Sequence, residues 1–184
     1  CPHKQGLLHF MMKDMDTAPI VKTTLDWSNL VDELKIHGIR NSLLSCVMPT
    51  ASTSLLNGNN EACEPITSNL YVRRTLSGEF LVINKYLVKD LVKLGLWSKE
   101  IYEEIVYHNG SVQKIVKIPL KLREIYKTAY EIKTTCVLNM AIDRSPFIDQ
   151  TQSMNLFMSS DINKLHSSHF YSWKSGLKTG LYYL

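Results

Sequence analysis

One junction constrains this chain more than any other. Residues 42–48 form a short apolar run, followed by Met48-Pro-Thr-Ala-Ser-Thr-Ser54 and then Leu55-Leu56. Four hydroxyls fall within five residues, at Thr50, Ser52, Thr53 and Ser54. This order predicts a buried strand, a tight turn and the first turn of a helix. A proline near a helix start removes an N–H that would lack a partner anyway. Serine and threonine there accept hydrogen bonds from the orphan amides of the first turn. The same amides, at the positive end of the helix dipole, make a ready site for a phosphate. The stretch contains no glycine, which excludes a P-loop, so a phosphate here is held by hydroxyls and amides rather than by a lysine. Local chemistry leaves two meanings open, an anion site or an ordinary helix cap. Caps are the commoner of the two.

The rest of the chain alternates helical patterns with short apolar stretches. Asp26 is placed to cap a helix with Leu30, Val31 and Leu34 on one face, ending near Gly38. Asn57-Gly-Asn-Asn60 marks a loop that Glu64-Pro65 extends. Residues 81–83 are a short strand candidate. Tyr86, Leu87, Val88, Leu91 and Leu94 suit a helix closing at Gly95, and Ser98 caps the next one, with Ile101, Tyr102, Ile105 and Val106 on one face. Pro119 opens a long helical segment whose seam runs Leu122, Ile125, Ala129, Ile132, Cys136 and Met140. Residues 147–158 contain a further strand. His166, His169, Phe170, Trp173 and Leu177 form the inner stripe of a final helix before Gly180. Strands interleaved with helices predict an α/β fold. There are too few strands to close a barrel within this stretch alone.

Composition narrows the function classes. A chain of 184 residues is long enough for one domain with a sizeable core. Hydrophobic residues at 45% and charged residues at 21% are ordinary for a globular protein. The net charge of +4 is mild and the basic residues are scattered, with Arg73-Arg74 the only arginine pair, so nothing points to nucleic acid. No apolar run approaches the length of a membrane span and no signal-peptide pattern is present, so a soluble chain with no membrane partner is expected. Cys1, Cys46, Cys63 and Cys136 show no CxxC spacing, which suggests neither a zinc site nor a redox pair. Cys46 in the apolar strand and Cys136 on an apolar helix face read as small hydrophobes, and a reducing, cytoplasmic setting follows. The chain opens on Cys1 and closes on the apolar Tyr182-Tyr183-Leu184, unusual for a solvated terminus. Residues 1–184 are therefore expected to be a piece of a longer protein, truncated at both ends.

Three other constellations have bland readings that are preferred or unresolved. His166 and His169 lie one helical turn apart, but no carboxylate or cysteine sits at a companion spacing, so packing is preferred to metal binding. Glu61 and Glu64 lie in a polar loop, where a solvated or capping role outweighs acid–base work. Asn109-Gly-Ser111 reads as a turn signal. Tyr182-Tyr183 is either β-rich aromatic packing or a pair of phenols able to relay an electron and a proton, and spacing alone does not decide.

A set of ordered segments does. Arg40-Asn-Ser-Leu-Leu44, Met48-Pro-Thr-Ala-Ser-Thr53, Gly58-Asn-Asn-Glu61, Glu64-Pro65, Thr67-Ser-Asn69, Arg73-Arg74 and Leu76-Ser-Gly-Glu-Phe80 resemble the large subunit of class I ribonucleotide reductase. So do Lys89-Asp-Leu91, Gly95-Leu-Trp97, Asn109-Gly-Ser111, Tyr126-Lys-Thr128, Phe147-Ile-Asp-Gln150, His169-Phe-Tyr171 and Gly176-Leu-Lys-Thr-Gly-Leu-Tyr-Tyr183. The similarity runs from about Trp27 to Leu184, is carried by no single motif, and is greatest to the eukaryotic or large-DNA-virus type.

This resemblance implies the C-terminal part of a catalytic barrel, a ten-stranded α/β barrel of two antiparallel halves, with this chain supplying the second half. It implies an oxidoreductase that converts ribonucleoside diphosphates to deoxyribonucleoside diphosphates for DNA synthesis. A thiyl radical abstracts the ribose 3′-hydrogen, water leaves, and a cysteine pair supplies electrons. Pro49, Thr50, Ala51, Ser52 and Thr53 match the turn that binds the substrate diphosphate. Tyr182 and Tyr183 match the paired tyrosines of the radical-transfer route, Tyr182 nearer the active-site cysteine and Tyr183 nearer the small subunit. Implied partners are the small subunit with its metal-linked radical cofactor, a second large subunit, and thioredoxin or glutaredoxin as reductant. Effector sites for dNTP and ATP belong to other parts of the family's chain, and no cofactor is expected directly in this one. None of the four cysteines matches the radical or redox cysteines, so the stretch alone is expected to be inactive. The alternative is a reductase-like paralogue that kept the fold as a non-catalytic interaction scaffold. Two departures stand out: Ser45-Cys-Val47 where alanine and proline are usual, and Arg144-Ser-Pro146 in place of an Arg-Gly pair. The second disfavours helix at Ser145.

Overall fold

The structure, a computed structural model, describes residues 24–41 and 43–179. Seven α-helices and one two-stranded antiparallel sheet are formed among the described residues. The chain divides into two compact units, Glu64–Lys133 and a second made of Cys1–Cys63 with Thr134–Leu184.

In Glu64–Lys133, β1 (Leu70–Thr75) and β2 (Gly78–Ile83) form a hairpin in which Thr75 faces Gly78 across a two-residue connection. The candidate strand at 81–83 is the end of β2. Strand β1 is not among the expected strands: its side chains are mostly exposed with no alternating burial, and the ladder to β2, rather than a buried face, makes it a strand. Helix α3 (Lys85–Lys93) starts where the Asn84 side chain accepts from the Tyr86 and Leu87 amides at 3.1 and 3.4 Å. Helix α4 (Lys99–Tyr107) starts at Ser98, whose hydroxyl accepts from the Ile101 amide at 3.3 Å. Both match the expected helices. Leu87 and Leu91 are four residues apart, as are Ile101 and Ile105, so each pair lies on one helical face. They bury with Val112, Ile115, Ile118 and Tyr126 into one core. Each such side chain contributes about 1.5–3 kcal/mol on leaving water.

The long helix expected after Pro119 is broken. Helix α5 (Leu120–Ile125) ends, a 3-10 turn covers Ala129–Glu131, and α6 (Thr134–Arg144) begins afresh. The backbone groups a continuous helix needs are taken by side chains and by a distant segment. The Tyr126 carbonyl accepts from Asn69 Nδ2 at 2.9 Å. The Ala129 amide donates to the Ile66 carbonyl at 2.7 Å. The Thr128 amide donates to Glu131 Oε2 at 2.8 Å within a capping box. Helical periodicity could not register these long-range acceptors.

In the second unit α1 (Ser28–His37) runs to Gly38, as its pattern predicts, with Leu34 as its buried residue. Asp26 accepts from the Ser28 amide and hydroxyl at 2.9 and 2.6 Å. Helix α6 supplies Leu138 and Ala141 to a core shared with Met154, Leu156 and Leu177. It ends at Arg144, and a 3-10 turn over Ser145–Phe147 follows, as Pro146 requires. Cys136 and Met140 of the expected seam are exposed, as is Cys46, so these thiols are not core hydrophobes in this chain.

The two expected strands at 42–48 and within 147–158 are irregular. A parallel bridge joins Val47 to Gln152, and Gln152, Met154 and Leu156 are buried in alternation, as on an extended segment. The first is also not the buried strand expected: Leu43, Leu44 and Met48 are exposed, and a single bridge rather than a ladder ties Val47 to its neighbour. Helix α7 (Ile162–Lys174) follows its expected inner stripe only in part: Leu177 beyond its end is buried and His169 half-buried, but His166 is exposed. Phe170 and Trp173 are exposed, Ser172 is buried, and the chain leaves the helix at Gly176. Stacked aromatics (His166 on Phe170, Phe170 against Trp173) cover one another instead of entering the core. No described helix is long and apolar enough to cross a membrane.

Candidate functional site

Helix α2 (Ala51–Asn57) is the helix expected after the hydroxyl turn, but its start is built differently from an ordinary cap. Pro49 lies ahead of the helix, not in its first turn. Thr50 occupies the cap position with a left-handed backbone, φ 53°, and makes no side-chain bond to the helix amides. For a β-branched residue that conformation costs about 1–3 kcal/mol and persists only where surroundings enforce it. The enforcing contact is Ala62: its amide donates to the Thr50 hydroxyl at 2.9 Å and to the Pro49 carbonyl at 3.2 Å. Gly58, also left-handed, turns the chain back towards that contact. The excursion 49–62 is thereby closed on itself.

The hydroxyls face away from the helix amides. Thr53 donates to the Thr50 carbonyl at 3.4 Å and Ser54, which is buried, to the Ala51 carbonyl at 3.3 Å. The Ser52 hydroxyl makes no hydrogen bond to any described residue, and the amides of Ala51, Ser52 and Thr53 have no acceptor among the described residues. Ala51, Ser52 and Thr53 are exposed; Pro49 and Thr50 are half-buried. Three amides at the helix start and one hydroxyl are thus without an acceptor among the described residues. That is anion-binding chemistry. Tyr182 and Tyr183 lie outside the described residues.

Two residues missed as functional candidates hold this turn's approach. The Asp149 carboxylate accepts from the Leu44 and Ser45 amides at 2.8 and 3.0 Å. The Ser45 carbonyl accepts from the Gln150 amide at 3.1 Å and the Val47 carbonyl from the Ser153 amide at 3.3 Å. Gln152 ties this strip to α6, donating to the Ala141 carbonyl at 2.7 Å and accepting from Arg144 at 3.1 Å. On the other side of the bend, the Lys178 ammonium donates to the Ile148 carbonyl at 3.1 Å and to the Asp149 carbonyl. Packing over these groups draws the Lys178 ammonium's pKa below its usual value, and the Asp149 charge opposes the shift. Only pairwise geometry could have found Asp149 and Lys178, which are 29 residues apart.

Of the other candidates, Glu61 is exposed in the loop and Glu64 half-buried. His166 is exposed and stacks on Phe170. No group of three or more histidines, cysteines or carboxylates able to hold a metal ion occurs among the described residues.

Residues 2–183 match the family model described as "Ribonucleotide reductase, barrel domain". Over the whole chain the sequence is 50% identical to a "Ribonucleoside-diphosphate reductase large subunit" of Plasmodium falciparum, covering 22% of that protein. It is 51% identical to a "Ribonucleoside-diphosphate reductase large chain" of Cryptosporidium parvum, again covering 22%. Identity to the Danio rerio large subunit is 48%, covering 23%. The chain thus spans roughly a fifth of the length of these curated relatives. Among solved structures, the "Actinobacillus ureae class Id ribonucleotide reductase alpha subunit" superposes with a TM-score of 0.69 at 31% identity, over 82% of this chain and 28% of that one.

Proposed function

The chain belongs to the ribonucleotide reductase barrel-domain family, and from that membership we propose that it forms part of a subunit reducing ribonucleoside diphosphates to deoxyribonucleoside diphosphates. Its share of that work is substrate capture and radical transfer. The observation that supports the first role is the start of α2, where the amides of Ala51, Ser52 and Thr53 and the Ser52 hydroxyl have no acceptor among the described residues. These groups, on a turn shaped by Pro49 and Thr50, receive the substrate diphosphate: backbone dipoles supply the attraction and Ser52 and Thr53 donate to phosphate oxygens. Tyr182 and Tyr183 pass one electron and one proton between the partner small subunit and the substrate site, each phenol being oxidised and restored in turn.

The partners follow from this reading: a small subunit with a metal-linked radical cofactor, a second large subunit, and thioredoxin or glutaredoxin as reductant, all in the cytoplasm. The effectors dNTP and ATP bind elsewhere in the full subunit. On this reading residues 1–184 alone are inactive, because none of Cys1, Cys46, Cys63 and Cys136 matches the family's radical or redox cysteines.

The test uses a full-length subunit carrying this segment. Ser52→Ala with Thr53→Ala raises the KM for a ribonucleoside diphosphate, and an unchanged KM removes the phosphate role. Tyr182→Phe abolishes turnover while substrate still binds, because a phenyl ring has no hydroxyl proton to release; normal turnover sinks the relay.

A further inference from the structure

We propose that Asp149 and Lys178 are positioning residues: a two-sided clamp fixing the segment that enters the substrate turn and the segment that enters the tyrosine pair on one shared bend. The inference rests on the roles proposed above for 49–53 and 182–183. Residue 149 is gripped from opposite directions. Its carboxylate takes the successive amides of Leu44 and Ser45 at 2.8 and 3.0 Å, four to five residues ahead of Pro49. Its carbonyl, with that of Ile148, takes the ammonium of Lys178, four residues ahead of Tyr182. Ser45 completes the grip, its hydroxyl accepting from the Asp149 amide at 3.2 Å and approaching the carboxylate at 3.4 Å.

A neutral bend would not need an ammonium packed against carbonyls. Desolvating a charge costs free energy unless it is well paired, and charge-assisted bonds are the stronger, more directional kind. The arrangement therefore fixes geometry at two chain entries at once. Neither side chain belongs to the turn or the relay itself; each acts through the backbone it holds. Placement errors of about 1 Å at reacting groups cost about a hundredfold in rate, so small slack at 44–45 or at 178 reaches the chemistry.

The two halves of the clamp give separable kinetics in a full-length subunit assembled with its small subunit. Lys178→Met lowers kcat about tenfold or more with KM within about twofold, because it frees the tyrosine side. Lys178→Arg, which keeps donors within reach of both carbonyls, restores most of kcat. Asp149→Ala raises KM for the ribonucleoside diphosphate at least about threefold, and Asp149→Asn, which keeps one acceptor, raises it less. Should an alanine or methionine variant fold poorly, Asp149→Asn and Lys178→Gln carry the same expectations at smaller size, with thermal melting run alongside. A wild-type kcat in Lys178→Met overturns the proposal. So does an equal loss of activity in both variants with unchanged KM, the signature of a lower folded fraction. Tyr182→Phe and Ser52→Ala measured in the same set separate the cases: if they behave as expected and the clamp variants do not, the clamp alone fails.

Discussion

Two places in this chain, one in each unit, treat their polar groups in opposite ways. In Glu64–Lys133 the fully buried Asn69 is satisfied on every side. Its Nδ2 donates to the Gly110 and Tyr126 carbonyls at 2.9 Å each, its Oδ1 accepts from Asn84, and its backbone amide and carbonyl pair with Gly110 and Asn84. Asn84 in turn caps α3, so one side chain organises a hairpin end, a helix start, a turn and the end of α5. At the start of α2 the other unit leaves three amides without an acceptor among the described residues, beside a strained Thr50. A closed network holds shape, while donors without partners leave room for a ligand. Segments quoted for the family resemblance therefore divide by purpose: Thr67-Ser-Asn69, Asn109-Gly-Ser111 and Tyr126-Lys-Thr128 converge on the closed network, whereas Met48-Pro-Thr-Ala-Ser-Thr53 forms the open turn.

The largest test of that contrast is Gly110→Ala. A Cβ there lies 1.8 Å from Ser68 Oγ and 3.0 Å from the Asn69 and Leu70 amides, at φ +83°. A loss of about 3–5 kcal/mol in urea unfolding is expected. A loss under about 1 kcal/mol would show that the network yields easily. Next is Asn69→Ala, which strands the Tyr126 carbonyl and the Asn84 side-chain amide, while the Gly110 carbonyl keeps the residue-69 backbone amide. At about 1–3 kcal/mol per buried unpaired group, partly relieved by water, the expected loss is about 2–4 kcal/mol. Calorimetry giving a near-neutral result would refute the organising role.

A smaller effect, with a pH signature, comes from Tyr126→Phe. The Tyr126 hydroxyl donates to Asp90 Oδ2 at 2.6 Å. That bond is the main cause lowering the Asp90 pKa, and burial followed by Asp90 raises the Tyr126 pKa. A carboxylate with a depressed folded pKa contributes stability above its unfolded value, lost as pH falls. A phenol with a raised folded pKa contributes below its unfolded value of about 10, lost as pH rises past it. The stability difference between wild type and Tyr126→Phe, about 1 kcal/mol at its plateau, should therefore shrink at both ends of a pH 3–11 melting series. A difference that stays flat would break the assignment. Smallest of all, Ser52→Ala should change stability by less than about 0.5 kcal/mol, since its hydroxyl holds nothing in the fold. A clear destabilisation in thermal melting would make the turn structural and erase the contrast between the units.

Legibility followed the same division. Helices α1, α3 and α4 were readable because their caps and apolar faces are local, with Gly38, Gly95 and Ser98 marking the ends. The helix expected after Pro119 breaks because Asn69 and Ile66 engage its backbone from outside any local window, whereas the Thr128-to-Glu131 capping box is a local sign of the new start. The stripe of α7 holds only in part because Phe170, Trp173 and His166 are apolar enough to suggest a core face yet cover one another on the surface. At the turn, residue types pointed to an anion, but the choice between cap and open site depended on the φ of Thr50, which no spacing reveals. Asp149 and Lys178 are joined only by the bend between them, a contact 29 residues apart that no local pattern carries.

Thr50 also limits what can replace it. Its backbone favours glycine or asparagine, while the Ala62 amide requires an oxygen on the side chain. Asparagine and aspartate meet both demands. Aspartate would set its own negative charge beside three amides that have no acceptor among the described residues, where it would compete with any other anion. Threonine bears the strain and stays neutral.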